Sequence, residues 1–381
     1  MHLRKLLPAL LALLAGIAVS LTSATPANAA APQSWLSVSS GSAHTCAVAA
    51  NHALYCWGGN FNAQLGLDDS TNRNTPTRVG TSTSWASVST GSTHTCGTRT
   101  SGTLYCWGDN SAGQLGVGDL GTRSVPARVG TSSSWASVSA GAFFTCARSK
   151  TGSVYCWGTN IDGRLGTGDM AQRTKPAKVG TSTQWTSIVA GGTHACATNT
   201  TGSLYCWGQN SSGQLGTGGG APPRTKPTKV GSSSTWRSVD LGEDYTCGVR
   251  TTGTLYCWGD NMFAQLGDGT KTGRPTPTRI GISKRWAGVS VGESHSCGRQ
   301  STGALYCWGD NEKGQVGDGT VADRLTPTRV GTSTQWTSIS VGRTHTCARH
   351  ASAALYCWGS NAYGQLALTN TAYRVTPGKL G

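Results

Sequence analysis

The sequence predicts an all-β protein: a seven-bladed β-propeller of four-stranded antiparallel blades. Three observations lead to that fold class. One unit of about fifty residues recurs seven times, over residues 35–84, 85–134, 135–184, 185–235, 236–285, 286–335 and 336–381. Each unit opens on a tryptophan (Trp35, Trp85, Trp135, Trp185, Trp236, Trp286, Trp336), and a second tryptophan directly follows its second cysteine. Each unit also reads as four short strands, with no capped helical periodicity between them. Radial repetition of such units covers the sheet faces with neighbouring sheets. A solenoid would need atypical capping units, and the first and last units here are ordinary.

The second unit shows how each strand arises. Residues 85–89, Trp-Ala-Ser-Val-Ser, alternate with period two, and Gly91 ends the run. Residues 95–98 and 103–107 are two more strands around Thr100-Ser101-Gly102, a loop that suits a type I turn with a left-handed glycine bulge. That turn sets Arg99 opposite Thr103 and Cys96 opposite Cys106. The cysteines fall at a non-hydrogen-bonded pair, where Cα atoms approach to about 4.5 Å, inside the range of about 4.4–6.8 Å that a disulfide accepts. Leu104-Tyr105-Cys106-Trp107 is apolar on both sides, as expected of a strand covered on both faces. Residues 108–118 are a polar, glycine-rich turn region, and residues 126–129, opening on Pro126, read as an outer edge strand. With the repeat in phase with the blade, the chain starts on an inner strand near Trp35 and ends on an outer strand near Leu380. The ring is then expected to close by side-to-side packing, with no strand shared between the last blade and the first.

The first residues have a different character. Arg4 and Lys5 precede an apolar run over residues 6–21, and Ala27-Asn28-Ala29 is a small-x-small cleavage site. Residues 1–29 are therefore expected to be a signal peptide cut after Ala29, residues 30–34 a short N-terminal segment, and residues 35–381 the propeller. No later segment approaches twenty apolar residues, so no transmembrane segment is expected in a secreted, monomeric protein. Export places all fourteen cysteines in an oxidising compartment. They are expected to pair within repeats: Cys46 with Cys56, Cys96 with Cys106, Cys146 with Cys156, Cys196 with Cys206, Cys247 with Cys257, Cys297 with Cys307, and Cys347 with Cys357. No Cys-x-x-Cys occurs, and neither a metal nor a cofactor is expected.

The net charge of +15 raises the question of nucleic acid. Half of the basic residues after the leader occupy two repeated positions per unit, such as Arg123 and Arg128. Charge repeated once per blade is spread around a ring, whereas a nucleic-acid footprint needs clustering on one face. Recurrent Asp119, Asp169, Asp268 and Asp318 point to local ion pairs or capped turns, and no specific nucleic-acid partner is expected.

The string Gly91-Ser-Thr-His94-Thr-Cys, Gly102-Thr-Leu-Tyr-Cys-Trp-Gly-Asp-Asn110, Gly113-Gln-Leu-Gly-Val-Gly-Asp119 and Pro126 resembles the regulator of chromosome condensation repeat. The resemblance covers residues 35–381 and implies a seven-bladed propeller. Its functional implications diverge: the founding member is a nuclear guanine-nucleotide exchange factor, and related propellers serve in ubiquitin ligases, as photoreceptors and as secreted β-lactamase inhibitors. A signal peptide argues against the nuclear role. The resemblance also implies partner docking on the loops after the innermost strands.

Those loops vary between units while the framework does not. They read Ser42-Ala-His44, Ser92-Thr-His94, Ala142-Phe-Phe144, Gly192-Thr-His194, Glu243-Asp-Tyr245, Glu293-Ser-His295 and Arg343-Thr-His345. Phe143, Phe144, Glu243, Asp244, Tyr245, Glu293 and Arg343 are the candidate partner-binding residues, because aromatic and charged groups on rigid loops suit a protein interface. Phe144 and Tyr245 stand at the histidine position, where packing competes with binding. The recurrent histidines are expected to hydrogen-bond within their own blades. No nucleophile elbow, phosphate loop or metalloprotease helix motif occurs, and no catalytic residue is assigned. The expected function is a non-catalytic scaffold that binds another protein. A wall-polymer or carbohydrate-binding propeller is the alternative, and nucleotide exchange is less favoured still.

Overall fold

The computed structural model describes residues 32–219, 222–283, 285–368 and 372–380. The expected signal peptide lies outside them. Seven four-stranded sheets follow one another, and in each the strand order is the chain order. In blade 2 the strands are Trp85–Thr90, His94–Arg99, Leu104–Gly108 and Arg123–Arg128. The first blade begins with Trp35–Ser40 and the last ends with Tyr373–Lys379. Among the described residues no strand is shared between these two sheets, as the phase of the repeat predicts.

The hairpin register follows from the turn. Arg99 N–H donates to Thr103 O at 2.9 Å, and Gly102 closes the turn at φ +86°. Cys96 then lies opposite Cys106 and is bonded to it. The same register recurs in every blade. Cys46 is bonded to Cys56, Cys146 to Cys156, and Cys196 to Cys206. Cys247 is bonded to Cys257, Cys297 to Cys307, and Cys347 to Cys357. All seven bridges join residues ten apart, and their Cα atoms stand 4.0–4.2 Å apart, closer than the spacing expected from the sequence. The third strand is buried along its length except for a half-buried Tyr105. The outer strand starts at Arg123, three residues before the expected Pro126. Between Cys106 and Gly108 the register shifts, so Pro126 sits in a bulge where its missing N–H costs no ladder bond.

Each seam between blades is built alike. Trp107 Nε1–H and Thr95 Oγ1–H both donate to the carbonyl of Gln64 in the preceding blade, at 3.0 and 2.8 Å. Trp57 and Thr45 of blade 1 make the same two bonds to Gln365 of blade 7, both at 2.9 Å. The closing seam therefore repeats the internal ones. Gly116 shows why glycine recurs here: it has φ +70°, and a Cβ would lie 2.6 Å from Trp157 Nε1 of the next blade.

Blade 4 departs from the pattern. Its first strand is only Val189–Ala190, with an isolated bridge between Trp185 and Asn199. The Thr186 and Ser187 hydroxyls both reach the Thr198 hydroxyl, at 3.0 and 2.6 Å; blade 2 has the matching Ser87–Thr98 bond at 2.7 Å within a regular strand, so the Thr186 bond is what distinguishes blade 4.

Candidate functional site

Strand direction alternates, so the loops after the first and third strands share one face. Blade-to-blade linkers and second-to-third hairpins share the other. On the first face the two loops of each blade are tied together by backbone bonds, such as Thr159 N–H to Phe143 O at 3.0 Å and Asp260 N–H to Asp244 O at 2.9 Å. The longer loop is braced from within: Asn110 Oδ1 accepts Leu115 N–H at 3.0 Å, and Gln114 Oε1 accepts Ala112 N–H at 2.8 Å. Two variable positions per blade are thereby carried outward on a fixed frame.

Beneath the loops runs a central channel of about 190 Å³, lined by the ends of all seven first strands. Hydroxyls stitch its wall. Ser89 Oγ accepts Ala140 N–H at 2.9 Å, Ser139 Oγ accepts Ala190 N–H at 2.9 Å, and Ser340 Oγ accepts Ser40 N–H at 2.8 Å across the closing seam. Blade 4 has Val189 at this position and offers no acceptor. Leu241 N–H bonds instead to its neighbour Asp240 Oδ1 at 3.1 Å, while Asp240 Oδ2 accepts Val291 N–H at 2.9 Å. Burial raises the Asp240 carboxyl to about 6 despite these bonds.

One layer out lies a second belt. His44 Nε2 meets Thr95 Oγ1 of the next blade at 2.9 Å. The same contact joins His94 to Thr145, His194 to Thr246, His295 to Thr346, and His345 to Thr45. The expectation that each histidine bonds within its own blade is therefore wrong; each bridges two blades. The threonine hydroxyl donates its proton to the glutamine carbonyl, so it must accept from histidine Nε2–H. The rings are thus neutral, with Nδ1 unprotonated and without a hydrogen-bond partner. Burial first, and the neighbouring imidazoles of His345 and His94 next, which disfavour a further positive charge, lower His44 to about 3.

Two expected binding residues belong to this belt. Phe144 and Tyr245 are buried, so neither side chain can touch a partner docked on the loops. Phe144 faces a blade that has Ala195 where the others have a hydroxyl, and Tyr245 Oη–H donates to His295 O at 2.8 Å with Ser296 in the threonine position. Size at one site is matched by size at the other.

The remaining candidates lie on the open face. Phe143 is exposed. Glu243, Glu293 and Arg343 stand at the channel mouth on three consecutive blades, and Arg343 Nε pairs with Glu293 Oε2 at 2.6 Å. Desolvation at the mouth, with Asp244 and Glu293 nearby, pushes the Glu243 carboxyl up. Asp244 is committed: its Oδ1 accepts from Thr193 Oγ1–H at 2.6 Å and Gln214 Nε2–H at 2.9 Å.

The longer loop adds residues that sequence reasoning missed. Phe61, Ile161, Met262, Phe263 and Tyr363 join Phe143 on this face, all 44–72 % exposed. Phe61 and Tyr363, from the first and last blades, meet edge to face at 5.2 Å. Three of the chain's four phenylalanines are thus exposed on one face. The sequence carries a signal for them: the two positions after the recurrent asparagine vary between units as freely as the loops after the first strands.

A ring of seven such blades with variable loops on one face is a repeat propeller. Family models for the regulator of chromosome condensation (RCC1) repeat match residues 35–64, 85–114, 135–164, 185–214, 236–265, 286–315 and 336–365, and a second model of that repeat spans 51–97 through 302–349 in six copies. The chain belongs to the RCC1 repeat family. Comparison with curated proteins found no match. Among solved structures, human WBSCR16 superposes with a TM-score of 0.78 at 19% identity, covering 86% of this chain and 94% of that one. Yeast RCC1 (Prp20) bound to Kap60 gives 0.77 at 22% identity, covering 86% and 83%. Saccharomyces cerevisiae Prp20p, described with its binding to Gsp1p and histones, gives 0.77 at 21% identity, covering 92% and 88%. These likenesses establish the fold.

Proposed function

We propose that this protein is a secreted, non-catalytic scaffold that binds another protein through the face formed by the loops after the first and third strands. The observation that carries the reading is the exposed apolar set Phe61, Phe143, Ile161, Met262, Phe263 and Tyr363, held on braced loops around a charged channel mouth. Large apolar side chains on a rigid frame supply interface area at little ordering cost. Seven disulfides favour an oxidising compartment, in keeping with the signal peptide expected over residues 1–29. Among the described residues no helix is long and apolar enough to cross a membrane. Protein partners of the yeast propeller, Gsp1p and histones, lend the fold a precedent for protein binding without naming a partner here. The sugar-binding alternative loses its main support on this face, because none of the fourteen tryptophans is exposed there.

The test is quantitative capture from the medium or envelope of the producing cell. A variant carrying Phe143→Ala, Ile161→Ser and Met262→Ser is expected to bind the recovered partner at least tenfold more weakly, about 1.4 kcal/mol or more. Ile282→Ser, on the opposite face and 92 % exposed, is the control and is expected to change nothing. Equal binding by both variants and the parent removes the reading.

A further inference from the structure

We propose that blade 7 carries a binding site for a guanidinium group, an aromatic box made by Trp336, Tyr356 and His350. The site lies on the face opposite the variable loops and does not depend on the function proposed above.

The protein supplies its own model of the occupied site. In every blade the first tryptophan meets the third-strand tyrosine edge to face, for example Trp85 and Tyr105 at 5.9 Å. In blades 2 and 5 an arginine from the end of the second strand lies over this pair. Arg99 Cζ is 3.7 Å from the Trp85 ring centre and 5.1 Å from that of Tyr105. Arg250 Cζ is 5.1 Å from Trp236 and 4.3 Å from Tyr256. The aromatic pair thus accepts a guanidinium within the distance at which ring faces attract cations.

Blade 7 has the same pair, Trp336 and Tyr356 at 5.3 Å, but His350 replaces the arginine. The imidazole adds a third ring, 5.7 Å from Trp336 and 5.9 Å from Tyr356, and is tethered by Ser352 Oγ at 3.0 Å from its Nδ1. An imidazole does not reach as far as an arginine side chain. An open surface cavity of about 260 Å³ is lined by the three rings together with Pro377 and residues 330–333. The other blades place Ala49, Ser149, Asn199 and Gln300 at this position, so blade 7 alone completes three aromatic walls. No acidic side chain lines the cavity, which leaves the ring faces to recognise the cation.

The guanidinium could come from a small molecule or from an arginine on another protein. Calorimetric titration of the full chain with N-acetyl-arginine amide is expected to saturate at one site. N-acetyl-citrulline amide, which has the shape without the charge, is expected to bind at least tenfold more weakly. His350→Arg fills the box from within, as Arg99 does, and is expected to abolish binding while keeping the melting temperature. Arg99→His opens the equivalent place in blade 2 and is expected to raise the stoichiometry to two. Placing the arginine in a glycine pentapeptide separates the sources: tighter binding than the free derivative points to a protein side chain, weaker binding to a small molecule. The proposal is overturned by no saturation at about 10 mM, a tenfold margin over a millimolar site. Equal binding of citrulline, unchanged binding to His350→Arg, or a single site in Arg99→His also overturns it.

Discussion

At the residue scale the belt of histidines is the most informative feature, because it links chemistry to pH. The five rings are buried and neutral, and burial lowers His94 and His345 to about 4 and His44, His194 and His295 to about 3. In the unfolded chain they titrate near 6.5, so below that pH the unfolded state takes up protons that the folded state refuses. Stability from this source is complete above about pH 6.5 and falls as pH drops towards the folded values. Asp240 works in the other direction: its carboxyl is raised to about 6, so the folded state holds a proton that the unfolded state has lost, and stability falls as pH rises from about 4 to 6. Each fully titrating group contributes at most about 1.4 kcal/mol per pH unit. Five histidines therefore outweigh one aspartate, and the urea midpoint is expected to fall steadily between pH 7 and 4.5. A flat profile would mean that the rings are accessible. A double-mutant cycle probes the exceptional link. Phe144→His alone leaves an imidazole facing Ala195 and should cost about 1–3 kcal/mol; adding Ala195→Thr should recover part of it. The histidines were visible in the sequence as a repeat, but their partners were not, because the bond joins positions 51 apart in different blades. The paired changes, Phe144 with Ala195 and Tyr245 with Ser296, were the readable trace of it.

At the scale of the element, the hairpin between the second and third strands was legible almost atom for atom. A three-residue turn of fixed length sets the register, and the register sets which cysteines meet. The outer strand was less legible because Pro126 reads as a boundary in sequence, whereas it occupies a bulge inside the strand. Blade 4 was harder still, since Trp185-Thr-Ser-Ile reads like the start of the other first strands, yet only Val189–Ala190 is regular. Each disulfide closes a short loop and should contribute about 2–3 kcal/mol at most. Reduction is expected to lower the melting temperature substantially. Mass spectrometry under non-reducing conditions should find only links between cysteines ten apart, such as Cys46 to Cys56 and Cys347 to Cys357. Any link between different repeats would contradict the register.

At the scale of the whole molecule, closure depends on no single strand. Trp57 and Thr45 meet Gln365 as Trp107 and Thr95 meet Gln64, so the first and last blades form a seam like the others. A circular permutant that joins the present ends and opens the chain before Trp85 is therefore expected to melt within a few degrees of the parent; a large loss would show that the closing seam is special. The seven-fold ring was legible from period alone. The open face was legible only in part: comparison of the loops after the first strands found Phe143 but also named Phe144 and Tyr245, whose burial depends on the neighbouring blade. The account rests most heavily on that face being where a protein docks, and hydrogen exchange of the captured complex tests it most directly. Protection is expected in residues 59–64, 142–144, 159–164 and 261–264, with none added in the linkers at 80–84 and 281–283. Protection confined to those linkers or to the outer strands would contradict it.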